Sequence, residues 1–465
     1  MKAKAVLKKN DVITLNIEDL TNLGFGVGKA NGAVVFVSGA VTGDVAEVKI
    51  IKSASSYYIG KIEKMIKYSE IRGEERCKNT KCRSCAYKCI KYEEELKIKE
   101  NIVRSAFLKE GLSDVAVAPT VPSPREHEYR NKAQYPIAKD KNGEYVIGFY
   151  APKTHTVCEA ADCPISPKIF SEILEAIRSF FKKHDLSVYD EVSGKGLLRH
   201  VYLRRSEESK EVLVTVVING HELPFADELK TSLTEKFSEV CGILLNVNKE
   251  DTNVILGDEY KTVYGNDYIT DTLAGAKLKI TAPSFYQVNH GTATLIYEEA
   301  RRMAKLKKTD TLLDLYCGAG SIGLSMAADA GELIGIEIVD AAVECARYNA
   351  KLCGKENAYF YTGDAKNTEA MLENAEREMG KKITPNVIIL DPPRAGCDEK
   401  LVSYVSSLSP ERIVYISCNP TTLARDVKRF RQYGYSTNEV KAFDMFPMTG
   451  HVESVVCLER QSDVI

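Results

Sequence analysis

The sequence predicts a multidomain protein, with an N-terminal OB-like β-barrel, a mixed α+β central region and a C-terminal α/β, Rossmann-like domain. Three observations carry this prediction. Residues 266–465 alternate strand-like and helix-like patterns along their length, the mark of a parallel sheet covered on both faces. Residues 1–64 are short β-branched runs separated by Gly and Asn turns. Residues 65–265 open on a cysteine cluster and then mix a helix with alternating strands. A chain of 465 residues has room for roughly two to four such units.

Composition narrows the classes. The longest apolar runs, such as Val34-Val35-Phe36-Val37, are strand-sized, too short to span a bilayer. The stretch "MKAKAVLKKNDVITLN" has no apolar core of signal-peptide length. The expected location is therefore the cytoplasm, where thiols stay reduced. The 13 cysteines then read as ligands, nucleophiles or core residues rather than disulfides. A net charge of −2 argues against a generally basic nucleic-acid binder. Its distribution is uneven: residues 1–110 carry 21 Lys and Arg against 14 Asp and Glu, and the remainder 42 against 51. A basic front end on an acidic body suits a phosphate-binding platform, and equally a solvated surface.

In residues 1–64, "DVITLNIEDL", "GAVVFVSGA" and "DVAEVKIIKSASSYYIGKIEKMI" supply the strands, and turns such as Asn31-Gly32 and Gly43-Asp44 join them. Small barrels of this kind bind oligonucleotides. Phe25, Phe36, Tyr57 and Tyr58 are candidates to stack on bases or to fill the barrel, with Phe36 assigned to the core. In residues 65–265, "CKNTKCRSCAYKC" holds Cys77, Cys82, Cys85 and Cys89. A C-x2-C pair offers two soft ligands on one turn, as zinc and iron–sulfur sites require. A helix is predicted from Tyr92 to about Glu110, followed by strands such as "EVLVTVVING". "GKGLLRHVYLRRS" gathers Arg199, His200, Arg204 and Arg205 as a candidate phosphate contact.

In residues 266–465 the first strand–helix turn is "DLYCGAGSIGL", in which Gly318, Gly320 and Gly323 fit G-x-G-x-x-G. Such glycines let the backbone approach a ligand, whether a dinucleotide or another nucleoside. Glu337 ends the next strand, where a carboxylate can hold ribose hydroxyls. Asp364 ends a third, where it could accept from an adenine amino group or serve as a plain turn residue. The fourth ends in Asp391-Pro392-Pro393, whose prolines stiffen the backbone. Rigid carbonyls at a sheet edge suit a planar base. Arg394 follows, where enzymes that methylate exocyclic nitrogens carry an aromatic residue. The fifth strand, "IVYIS", ends on Cys418-Asn419-Pro420. A thiol at the carboxyl end of a core strand is either packing or a nucleophile.

"DPPRAG" followed by "IVYISCNPTT", with "FYQVN" at 285–289 and "GHVES" at 450–454, resembles the S-adenosylmethionine-dependent RNA uracil-C5 methyltransferases along nearly the whole chain. The resemblance implies a TRAM-type barrel at 1–64, an iron–sulfur central domain at 65–265 and a methyltransferase domain at 266–465. It implies that Cys418 is the nucleophile adding to uracil C6 and that Glu453 accepts the C5 proton; His451 is the rival base, because its ordinary pKa lies nearer neutrality. Gln287, Tyr316, Glu337, Asp364 and Asp391 match the family's cofactor-contacting positions, beside Gly318, Gly320 and Ser321. Ser321 stands where some relatives carry Asn. The resemblance further implies a [4Fe-4S] cluster on Cys77, Cys82, Cys85 and, in the downstream "CP" context, Cys163. Cys89 and Cys158 remain alternatives, as does zinc. The implied partner is RNA, ribosomal in the first instance and transfer RNA in the second, bound by a monomer without a membrane.

Overall fold

The computed structural model describes residues 7–152, 154–363 and 368–461. Its strands build three large sheets and one separate hairpin. The first sheet runs, edge to edge, Val12–Asn16, Val45–Ser53, Tyr57–Lys67, Ala33–Ser38, Phe25–Ala30 and Asp19–Leu20. Period-two alternation turns Val35, Val37, Ala46, Val48 and Ile50 inward. The sheet curls until Phe25–Ala30 meets Val12–Asn16. At Gly28 a Cβ would lie 2.5 Å from the Asn16 carbonyl oxygen, so the closure needs glycine. Phe36 departs from the core position expected of it. Val35 and Val37 take the inner face, and Phe36 turns outward to meet Tyr57 edge-on, ring centroids 5.8 Å apart. Tyr58, one position on, is buried.

The second sheet has seven strands between Lys132–Lys139 and Glu259–Gly265 in sequence. Helices Lys168–Lys183 and Ala226–Thr234 cover it with Phe170, Ile173, Ile177, Phe181, Leu229 and Leu233. Strand Leu198–Arg205 lies largely inside, and this corrects the reading of Arg199 and Arg204 as phosphate contacts. Arg199 bonds the carbonyls of Asn248 and Glu250 at 2.8 and 2.9 Å. Arg204, 1% exposed, bonds the Tyr202 hydroxyl and the Ser284 carbonyl, both at 2.6 Å. These are structural ties across the interior.

The third sheet is the largest. Its order is Ala358–Thr362, Glu332–Glu337, Thr311–Leu315, Val387–Leu390, Arg412–Ser417, Glu453–Arg460, Glu439–Phe443 and Ala116–Val117. The first five strands are parallel, and Glu453–Arg460 enters antiparallel. Alternate strand residues feed two cores. Leu312, Leu333, Ile389 and Val414 face the hairpin Tyr268–Leu273/Ala276–Thr281 and helix His290–Ala304. Leu313, Ile334, Ile388 and Tyr415 face the other way. Helix Tyr92–Lys109 and strand Ala116–Val117, read from sequence as part of the central region, join this second core and extend the sheet: Val103 and Phe107 pack with Val427 and Phe430. The chain turns back from Ala358–Thr362 to the far side of Thr311–Leu315, and ligands bind at the carboxyl ends of strands around such a switch. Among the described residues no helix is long and apolar enough to cross a membrane.

Candidate active site

Strand register brings the two reactive candidates together. Ser417 pairs with Ser454 in the antiparallel ladder, so Cys418 follows directly on the end of one strand while Glu453 opens the strand beside it. Cys418 is half-buried where the strand gives way to helix Pro420–Arg431. Asn419 caps that helix through the Thr421 N–H, and Pro420 fills its first turn, where an N–H has no partner to lose. Burial pushes the Cys418 thiol up; Glu453 adds to this and Arg394 opposes it. Glu453 is buried, and its carboxyl is held well above the usual range by desolvation and by Asp391, again against Arg394. Asp391 is raised by burial to about 7. The residue before it, Leu390, ends its strand and pairs with Tyr415 on the strand that leads to Cys418. His451 is half-buried with its ring edge-on to Phe446 at 5.8 Å. Burial and then Arg394, Lys99 and Arg130 disfavour its imidazolium.

The loop carrying Arg394 is pinned to the helix that follows Cys418. Asn419 and Thr422 side chains donate to the Arg394 carbonyl at 3.0 and 3.3 Å. Asp426 accepts from the Cys397 N–H at 2.8 Å and from the Tyr415 hydroxyl at 2.9 Å. Gly396 has φ +73°, and a Cβ there would lie 2.4 Å from the Asp426 carboxylate. The cation that tunes both Cys418 and Glu453 therefore rides on a backbone held by the helix that follows Cys418.

The glycine loop closes the other side. Gly318 and Gly320 take positive φ, 54° and 80°, and Tyr316 shares the left-handed region at 64°. Glu337 accepts from the Gly318 N–H at 3.1 Å and the Val339 N–H at 3.0 Å. Ser321 and the Tyr297 hydroxyl lie 2.9 Å apart. Tyr297 in turn interacts with Asp391, Asp314 and Gln287. Asp314 accepts from the Gly323 N–H at 2.9 Å, and burial raises it to about 7, with Asp391 and Glu337 adding to the shift. Gln287 lies on the loop before helix His290–Ala304, its carbonyl held by Asn131. Sequence reasoning misses Tyr297 and Asp314. A carboxylate inside an apolar strand is the available signal for Asp314, whereas Tyr297 has none. Asp364 lies outside the described residues.

Cys77, Cys82, Cys85 and Cys163 line one cavity of about 1050 Å³, together with Arg76, Arg83, Lys88, Arg130, Arg394 and His451. Burial raises the Cys85 thiol to about 12, and Cys163, Cys77 and Cys82 each add to the shift. The loop is locally ordered: Asn79 accepts from the Cys82 N–H at 3.0 Å, and Lys88 donates to the Cys77 carbonyl at 2.9 Å. Cys89 is turned away. Its sulfur accepts from Arg72 at 3.4 Å, and it packs in a small core with Leu20, Val41, Tyr87 and Ile90. Cys158 is buried in strand Val157–Glu159. Among the described residues no three His, Cys, Asp or Glu side chains are gathered so as to hold a metal ion. The four thiols share a cavity without forming a ready-made coordination shell.

Comparison with known proteins follows the same outline. The sequence profile of the tRNA (Uracil-5-)-methyltransferase family matches residues 91–461, and that of the TRAM domain matches residues 7–62. A Bacillus cereus protein named an uncharacterized RNA methyltransferase is 38% identical over 456 residues, covering 98% of each chain. A Clostridium tetani protein of the same description is 36% identical over 464 residues, 100% of this chain and 99% of that one. Among solved structures, the Pyrococcus abyssi tRNA (uracil-54, C5)-methyltransferase in complex with S-adenosyl-L-homocysteine matches at TM-score 0.76 and 25% identity, over 96% of this chain and 100% of that one. With a family profile that spans residues 91–461 and relatives 36–38% identical along essentially the whole chain, this chain belongs to the tRNA (uracil-5-)-methyltransferase family.

Proposed function

We propose that the protein transfers the methyl group of S-adenosylmethionine to C5 of a uridine in RNA through a covalent adduct on Cys418. The observation that carries this reading is the pair Cys418 and Glu453, with Arg394 acting on both. The shaped glycine loop and the buried carboxylates Asp314 and Asp391, with Glu337 and Gln287, fit a cofactor that is cationic at sulfur and bears ribose hydroxyls. When bound, S-adenosylmethionine supplies an electrophilic methyl group. The protein's part is to make uracil C5 a nucleophile. The Cys418 thiolate forms a bond to C6, and the C5–C6 π electrons move onto the ring as an enolate. C5 then takes the methyl group, whose bond to sulfur breaks with its electron pair returning to sulfur. The Glu453 carboxylate removes the remaining C5 proton, the C5–C6 double bond re-forms, and the thiolate leaves.

Cys418→Ala should bind S-adenosylmethionine and transfer nothing, because C5 is never activated. Glu453→Gln should form the adduct and accept the methyl group but fail to release, leaving a denaturant-resistant enzyme–RNA complex. Absence of that complex, with turnover near the unmodified rate, would move the base to His451.

We further propose that Cys77, Cys82, Cys85 and Cys163 hold a [4Fe-4S] cluster, with zinc as the other occupant of four thiolates. What supports it is the shared cavity, the mutual electrostatic coupling of the thiols and the diversion of Cys89 to Arg72. Cys82→Ser should lose iron and broad visible absorption; a full iron complement in that variant would remove Cys82 from the ligand set.

For the substrate, we propose ribosomal RNA methylated by a monomer, on the combination of an N-terminal barrel with the cysteine region. Transfer RNA is the second reading, favoured by the whole-chain match to an archaeal enzyme named for tRNA uracil-54. Mapping 5-methyluridine in ribosomal and transfer RNA from cells with and without the gene decides between them.

A further inference from the structure

Between the cysteine cavity and the catalytic strand lies a buried ionic group that the chemistry above does not use. Its centre is Lys99, on helix Tyr92–Lys109, with no exposed side-chain surface. Its ammonium donates to Glu95 at 2.8 Å, to Asp444 at 2.5 Å and to the Phe446 carbonyl at 3.1 Å. Glu95, equally buried, also accepts from the Met448 N–H at 2.7 Å and from Arg76 at 2.5 Å. Arg76 is the residue before Cys77 and lines the cysteine cavity. All the backbone groups reached by Lys99 and Glu95 lie on one stretch, 444–449, which leads directly to His451 and Glu453.

That stretch is held from every side. Tyr87 donates its N–H to the Met448 carbonyl at 2.8 Å, and Tyr129 its hydroxyl to the Pro447 carbonyl at 3.1 Å. Met448 adopts φ +69°, costly for a residue with a side chain unless its surroundings impose it. Its side chain packs with Cys85, Tyr129 and Ile165, against Cys163. Gly450 leaves room for the Asn22 carbonyl of the N-terminal barrel, which would lie 2.1 Å from a Cβ. The barrel, the cysteine loop and the catalytic sheet therefore meet on the segment that aims Glu453.

We infer that Lys99 is a positioning residue for removal of the C5 proton: by clamping Asp444, the Phe446 carbonyl and, through Glu95, the Met448 N–H, it sets the segment from which Glu453 projects and links it to the cysteine region. The inference rests on the assignment of Glu453 as base. A buried ion group retained only for stability would act on every step alike. A positioning group acts on the step that Glu453 performs, since a displacement of about 1 Å in a reacting group can cost about a hundredfold.

The test uses the full-length protein and a uridine-containing RNA substrate, with Glu453→Gln alongside. Lys99→Met removes the clamp but strands buried carboxylates, which are costly without a partner. Lys99→Met/Asp444→Asn removes clamp and charge together, leaving Glu95 its bond to Arg76. The expected result, in whichever variant folds, is unchanged S-adenosylmethionine affinity and turnover slower by about tenfold to a hundredfold. Methylated covalent complex should build up, as in Glu453→Gln. Lys99→Arg, which keeps the charge, should recover part of the turnover. Turnover within about twofold of the unmodified protein, slow turnover without accumulated complex, or failure of both variants to fold would each overturn the inference. If Glu453→Gln itself accumulates no complex, the assignment of the base has failed instead.

Discussion

At Cys418 and Glu453 two acidic groups are made harder to ionise by the same burial that brings them together, and Arg394 is the counterweight to both. The sign of the pH dependence follows. A thiol held above its usual range is largely protonated near neutrality, and only the thiolate adds to C6. A carboxyl held above its range must likewise lose its proton before it can take one from C5. Both requirements are met as pH rises, so kcat/KM should climb through neutrality and go on climbing into the alkaline range. A profile that falls as pH rises through neutrality would contradict the assignment. Arg394→Met removes the stabilising cation, so its profile should move to higher pH with a loss of at least about tenfold at neutral pH. In the sequence this arginine stands out as part of "DPPRAG", at a place where enzymes that methylate exocyclic nitrogens carry an aromatic residue. Its role lies in a folded neighbourhood, since the partners it acts on are 24 and 59 positions away.

The alternation of strand and helix makes the catalytic sheet legible, because a parallel sheet buried on both faces needs nearly continuous apolar strands. Cys418 is legible for the same reason: the apolar run Ile413–Ile416 ends abruptly on Ser, Cys, Asn and Pro. Helix Tyr92–Lys109 is legible as a helix but not as a partner of that sheet, because its buried face contains Glu95 and Lys99, which pattern reading assigns to solvent. Arg199 and Arg204 mislead in the same way: buried arginines satisfied by interior carbonyls look identical in sequence to surface ones. At this scale the decisive element is helix Pro420–Arg431, which fixes the Arg394 loop through Asp426. Asp426→Ala should leave the Cys397 N–H and Tyr415 hydroxyl without their acceptor and cost about 3–5 kcal/mol. By freeing the loop it should also slow turnover about tenfold or more. Asp426→Asn keeps one oxygen for those donors and should fall between. Chemical denaturation and single-turnover rates on the two variants check the order; equal behaviour of Ala and Asn would show that the carboxylate does not hold the loop.

Across the molecule, the uneven charge of the sequence has a location. The barrel strand Tyr57–Lys67 carries Lys61, Lys64 and Lys67 exposed, on the unit that touches the Glu453 segment at Gly450. Cutting the barrel away would confuse two effects, since Leu20 and Val41 share a core with Tyr87 and Ile90 beside the cysteine loop. Charge substitution in the intact chain separates them. Lys61→Gln/Lys64→Gln/Lys67→Gln leaves the inner face of the strand, with Tyr58 and Gly60, untouched. If these lysines neutralise phosphates, each phosphate contact releases counterions, and the slope of log affinity against log salt should shrink by about 0.7 for every phosphate of single-stranded RNA no longer neutralised. The weakening should be similar for RNAs of different sequence, because phosphates carry no base identity. The uridine methylated should not change, since these lysines lie on a separate sheet from the Cys418 strand. Affinity measured at several salt concentrations on the cognate RNA and on a scrambled one decides the matter: an unchanged slope means that this face of the barrel does not bind RNA, and weakening confined to the cognate RNA means that it reads bases.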